Sequence, residues 1–124
     1  MPHLQTPDAV VRELLAATDA KDTAAVARLL TDDVRVRFGN AEPVHGKAAL
    51  FDGDDQFLDS IAGLRQEIHD LWTVADDVVL AEMTVHYERL DGGRVSLPCV
   101  DTFRLRDGLV HDYRIYIDLS LLFA

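Results

Sequence analysis

Apolar residues recur at helical spacing through the first third of the chain and at alternate positions through its second half. Thr6 and Pro7 read as an N-cap and first helical position, and Val10, Val11, Leu14 and Leu15 continue a helix to about Asp19. Asp22 or Thr23 opens a short second helix carrying Val26, Leu29 and Leu30. "DDVRVRF" alternates as a strand, and "GNAEPVHG" is a loop rich in chain breakers. A third helix spans about Lys47 to Ile61, with Leu50, Phe51, Phe57, Leu58 and Ile61 as its apolar positions and Gly53 as a weak point. From Leu64 onward four segments alternate, about 64–75, 78–89, 94–106 and 109–118. The gaps between them, "DD", "LDGG" and "RDG", are turn chemistry and too short for parallel crossovers. Helices followed by an antiparallel meander predict an α+β fold, as a single domain over residues 1–124.

One strand breaks its own pattern. Leu97, Cys99, Asp101, Phe103 and Leu105 share a face, and an acid stands in the middle of an otherwise apolar stripe. Its neighbours depend on the turns. A three-residue loop at 106–108 would pair Asp101 with Tyr113, and Cys99 with Ile115; a two-residue loop would set Asp101 opposite Arg114. The first keeps apolar residues on one face and is preferred. For the preceding hairpin, a two-residue turn at 91 and 92 pairs Asp101 with Glu82, Cys99 with Thr84 and Leu97 with His86. An odd loop instead places Val79, Ala81, Met83, Val85 and Tyr87 beside Asp101, and pattern alone slightly favours it.

Composition narrows the functions available. A length of 124 residues, 48% apolar and 27% charged, is that of an ordinary globular domain. No apolar run approaches the ~20 residues of a membrane span, and the N-terminus lacks a basic stretch and an apolar core, so a cytoplasmic protein without a membrane role is expected. Twelve basic residues against 22 acidic ones, net −10, argue against nucleic acid and anionic membrane surfaces as partners. The lone Cys99 reads as a small buried hydrophobe. No His or Cys pair has metal-ligand spacing, and phosphate-loop and dinucleotide motifs are missing, so no metal or cofactor is expected.

The order of elements, "HGKAAL" at the third helix and the ending "DTFRLRDGLVHDYRIYIDLSLL" resemble the SnoaL-like proteins of the nuclear transport factor 2-like superfamily. The resemblance covers nearly the whole chain. It implies a cone-shaped barrel of three helices on a long curved antiparallel sheet around an apolar pocket. It also implies Glu82, Thr84, His86, Asp101, Tyr113, Ile115 and Ile117 facing that pocket, which supports the even loop at "DGG". Val79, Met83, Val85 and Tyr87 would then form an apolar outer face covered by a second copy of the chain. Phe38 and Trp72 are expected as pocket or core wall.

The family's reactions can be weighed position by position. The steroid isomerases of this superfamily keep a protonated acid at the position matching Asp101, and the same enzyme is the standard illustration of a carboxylic acid held neutral by an apolar site. Their base would fall at Arg37 or one residue away and their tyrosine near Leu14, and neither position can do that work. The Asp-Arg-Asp set of limonene epoxide hydrolases falls on Glu82, Thr84 and Ile115. SnoaL-type polyketide cyclases fit better, with Asp101 as acid/base and His86 as the candidate second group. Burial should raise the Asp101 pKa and let it exchange a proton near neutrality. Tyr113 could donate to an oxyanion. The expectation is therefore a cofactor-free cyclase or isomerase acting on a small apolar carbonyl compound. Two alternatives stand beside it: a non-catalytic binding or dimerisation module, and an epoxide hydrolase using Glu82 and Asp101. In the blandest reading, Asp101 is a structural acid satisfied by its neighbours.

Overall fold

The computed structural model describes residues 5–123. Helix α1 (Pro7–Asp19) begins where expected, with Thr6 in extended geometry and Pro7 in the first turn, although the Thr6 side chain makes no capping bond. Its buried stripe is Val10, Val11, Leu14, Leu15 and Ala17. Helix α2 (Thr23–Arg28) is capped by Asp22, whose side chain accepts from the Ala25 N–H. Between them, Lys21 adopts φ +55 and sends its ammonium to the carbonyl oxygens of Leu58, at 3.1 Å, and Ile61, at 3.2 Å. That contact ties the α1–α2 corner to the end of helix α3 (Lys47–Asp59).

Six strands form one sheet: β1 (Leu30–Phe38), β2 (Val44–His45), β3 (Ile61–Ala75), β4 (Val78–Arg89), β5 (Arg94–Arg106) and β6 (Leu109–Ile117). Their spatial order is β2-β1-β6-β5-β4-β3, with β1 parallel to β6 and the other pairs antiparallel. The short β2 lies within the segment expected to be loop. Ile61, expected at the end of the third helix, instead opens β3, which starts earlier than the alternation suggested. The helices pack on one face of the curved sheet, and the core lies between them.

Both hairpins close differently from the preferred reading. Asp107 and Gly108 form a two-residue turn with positive φ at both, +54 and +79, as a type I′ turn requires. Arg106 then pairs with Leu109 and Leu105 with Val110. The register shifts at His111, so Arg104 pairs with Asp112 and Asp101 with Ile115. This β-bulge restores the parity that the shorter turn would have inverted, and Asp101 and Tyr113 share a face after all.

In the β4–β5 hairpin the loop is odd. The Arg89 N–H donates to the Gly93 carbonyl at 2.7 Å, and Gly92 takes φ +86 at the end of a three-residue loop. Asp101 therefore pairs with Ala81, Cys99 with Met83 and Leu97 with Val85. Val79, Ala81, Met83, Val85 and Tyr87 are buried on the same face as Asp101, and Glu82, Thr84 and His86 point the other way. The hydrophobic alternation prevails over the register taken from the family resemblance. Val79, Met83, Val85 and Tyr87 consequently cannot form a dimer surface, being at most 4% exposed. A second copy meeting this sheet would meet its polar face.

Candidate functional site

Asp101 is 0% exposed, and the only other buried polar residue among those described is Thr31. The chain places it there because β5 is an inner strand, flanked on the core side by Ala81 of β4 and Ile115 of β6. Ala81, the smallest residue of its stripe, leaves room for a side chain that is not hydrocarbon. Two donors reach the carboxylate. The Tyr113 hydroxyl donates to Oδ2 at 2.9 Å, and the Cys99 thiol donates to Oδ1 at 3.2 Å. Tyr113 is held by stacking on Phe103, with ring centroids 4.4 Å apart.

Desolvation dominates the electrostatics. It lifts the Asp101 pKa to about 7, against the opposing hydrogen bonds from Cys99 and Tyr113. Burial also raises the Cys99 thiol, and the neighbouring carboxylate raises it further, so the thiol is inert as a nucleophile at neutral pH. Tyr113 is likewise pushed well above the usual phenol range, first by burial and then by Asp101.

Above this pair lies a cavity of about 280 Å³. Tyr113 and Cys99 form part of its wall, whereas Asp101 sits behind them. Phe38, Ile115 and Ile117 line it as expected positions, joined by Val85, Tyr87 and Phe57. Phe57 of α3 packs against Phe38 and Tyr87, with centroids 5.2 Å and 6.1 Å away, so the helix closes over the sheet through an aromatic contact. Leu119, just past β6, completes the wall. Among the described residues no Lys, Arg or His belongs to the lining; its charged members are Glu42 and Asp54.

Asp54 was not among the sequence candidates, yet its signal resembles that of Asp101. Leu50, Asp54, Phe57 and Leu58 stand at i, i+4, i+7 and i+8, one face of a helix, and all line the cavity. The acid-rich run "DGDD" around a glycine hides that spacing. Asp54 is half-buried, and desolvation, with Asp55 beside it, holds its carboxyl above the usual carboxylate range.

Four expected site residues lie elsewhere. His86 is on the opposite sheet face, accepting from or donating to Ser96 Oγ at 2.8 Å through Nδ1 and pairing with Glu67 Oε1 at 2.7 Å through Nε2. Thr84 bonds to His69 Nε2 on that face, and Glu82 is exposed there. Trp72 is 46% exposed and paired with Leu80, far from the cavity. The Ser96–His86–Glu67 chain has the order of a nucleophilic triad. All three groups lie on the outer face of the sheet, and none of them lines the apolar cavity. Among the described residues no group of three or more His, Cys, Asp or Glu side chains could hold a metal ion.

Comparison with solved structures places this architecture. A nuclear transport factor 2-like protein of unknown function from Burkholderia pseudomallei superposes with a TM-score of 0.86 at 18% identity, covering 95% of each chain. A protein described as a candidate SnoaL-like polyketide cyclase from Jannaschia sp. CCS1 gives 0.82 at 20% identity, over 99% of this chain and 93% of that one. An LEH-like epoxide hydrolase from M. tuberculosis gives 0.81 at 21% identity, over 98% and 90%. These likenesses establish a shared α+β cone and leave the reaction open. No curated protein sequence matches the chain. The model of the SnoaL-like domain matches residues 11–113, most of the cone and all of the Asp101–Tyr113 pair, and the chain belongs to the SnoaL-like family.

Proposed function

We propose that the protein is a cofactor-free acid/base enzyme of the polyketide cyclase or isomerase type, acting on a small, apolar, carbonyl-bearing molecule. The observation that carries this reading is a fully buried carboxyl, with a pKa near 7, hydrogen-bonded to a phenol that lines an apolar cavity. When Asp101 is protonated, its own O–H can donate to the Tyr113 oxygen, which frees the phenol proton to donate to a bound carbonyl. When Asp101 ionises, the phenol proton is drawn back to the carboxylate. The pair is thus a relay that favours the developing oxyanion only in its protonated form. Because the described lining has no cation, an anionic substrate is disfavoured: it would meet only Glu42 and Asp54.

The non-catalytic binding module is favoured by one observation: His86, expected as the second proton carrier, faces away from the cavity. Glu82 also faces away, so an epoxide hydrolase built on Glu82 and Asp101 has its two acids on opposite sides of the sheet. The test is deuterium exchange at the α-carbons of small cyclic ketones in heavy water, followed by NMR. Wild type should exchange them, with the rate falling as pH rises through about 7. Tyr113→Phe and Asp101→Asn should each lose about a hundredfold or more. Equal rates in all three proteins would leave only the binding module.

A further inference from the structure

We propose that Asp54 is the catalytic base of this site, the carboxylate that takes the α-proton from a carbonyl compound held by Tyr113. This rests on the acid/base reading above and names its second group. The relay of Asp101 and Tyr113 serves the carbonyl oxygen, and enolisation also needs a group that accepts the proton from carbon. Among the residues lining the cavity, the carboxylates are Asp54 and Glu42, and Glu42 is exposed at the protein surface. Asp54 stands in the apolar face of α3, between Leu50 and Phe57, and that helix is laid across the cavity by the contact of Phe57 with Phe38 and Tyr87. No hydrogen bond or ion pair holds its carboxyl among the described residues. A half-buried acid with no partner in an apolar cavity is satisfied by what enters the cavity.

Burial and Asp55 keep the Asp54 carboxyl more basic than a surface aspartate, which suits a base working near neutral pH. Asp54 and Tyr113 both line the one cavity, so the two groups face the same space. The step balances. The Asp54 oxygen forms a bond to the α-hydrogen, and the C–H electron pair becomes a C=C bond. The carbonyl π pair moves to oxygen, which takes the Tyr113 proton while Asp101 replaces it on the phenol. In either outcome the enol O–H returns its proton to Tyr113, which passes its own back to Asp101; the Asp54 proton goes to another carbon in an isomerisation, or to the oxygen of a second carbonyl attacked by the enol carbon in a ring closure.

The experiment uses 2-tetralone for exchange and 2-naphthol, which carries the hydroxyl of its enol form, for binding by calorimetry. Asp54→Asn should lower exchange by about a hundredfold or more while still binding 2-naphthol, and Asp54→Glu should recover part of the rate. Asp52→Asn, on the exposed side of the same helix, should exchange like wild type. Exchange by Asp54→Asn within about threefold of wild type would overturn the role of Asp54 and leave the Asp101–Tyr113 reading standing. Loss of 2-naphthol binding along with exchange would also overturn it, making Asp54 a wall residue. Absence of exchange in wild type itself would overturn the acid/base reading and this role together.

Discussion

Asp101 is neutralised by its surroundings more than by any partner. An Arg or Lys beside it would hold the carboxyl ionised; instead it has Ala81, Ile115, a thiol and a phenol. The folded-state pKa of about 7 lies above the ordinary 3.8, so between those values the folded chain binds more protons than the unfolded one. Stability attributable to Asp101 is therefore full near pH 4 and is lost as pH rises to about 7. The upper bound of the loss is about 4 kcal/mol from the shift alone. Asp101→Asn removes the ionisation, and the stability difference between variant and wild type should grow in favour of the variant from pH 4 to 7 and then level off. Urea melts at a series of pH values would show it. A difference independent of pH would mean that Asp101 is not held neutral. The acid itself was legible in the sequence, as an interruption of an apolar stripe. Asp54 interrupts a helical stripe in the same way and was masked by acidic neighbours and by a glycine that blurs the helix.

At the scale of elements, the long strands and the helix starts followed from periodicity, whereas strand pairing depended on features that alternation cannot count. Both hairpins contain Asp-Gly, and each used the turn expected of the other. The deciding quantity was parity. The apolar set of β4 had to share a face with that of β5, and an odd loop at Leu90–Gly92 does this. Past the two-residue turn at Asp107 and Gly108, one extra residue at His111 does the same for β6. A bulge leaves little local trace, so the partner expected for Asp101, Tyr113, is two residues from the one found, Ile115, while the facing of Tyr113 was right. The placement of His86 and Glu82 failed for a different reason: the family resemblance outweighed an alternation that was already favourable. The parallel β1–β6 pairing joins segments too distant in sequence for any turn to report it.

To the apolar packing that docks the helical layer, one side chain that composition does not distinguish adds a polar tie. Lys21 donates to the carbonyls of Leu58 and Ile61 where α3 ends, closing orphaned acceptors with a charged donor. Lys21→Met should cost about 1–3 kcal/mol in denaturant unfolding, a loss typical of hydrogen bonds to a charged group. A loss below about 0.5 kcal/mol would show that packing alone seats the helices.

For the molecule as a whole, the curved sheet, α3 and the segment after β6 enclose an apolar space whose charges are all negative. The chain's net charge of −10 reinforces that sign, so anionic ligands are disfavoured from a distance as well as in contact. Among the described residues no helix is long and apolar enough to cross a membrane. The cone supplies the enclosure, and the proposed chemistry rests on two acids set into apolar faces, one from the sheet and one from a helix. The central claim is that the sheet acid is protonated near neutrality and can lend its proton through Tyr113. Its most direct test is a carboxyl-carbon NMR titration of wild type against Asp101→Asn, which assigns the Asp101 resonance by its loss. A midpoint near 7 is the result this account predicts. A midpoint at or below the ordinary ~3.9 would contradict it, making Asp101 a structural carboxylate and the cavity a binding site alone.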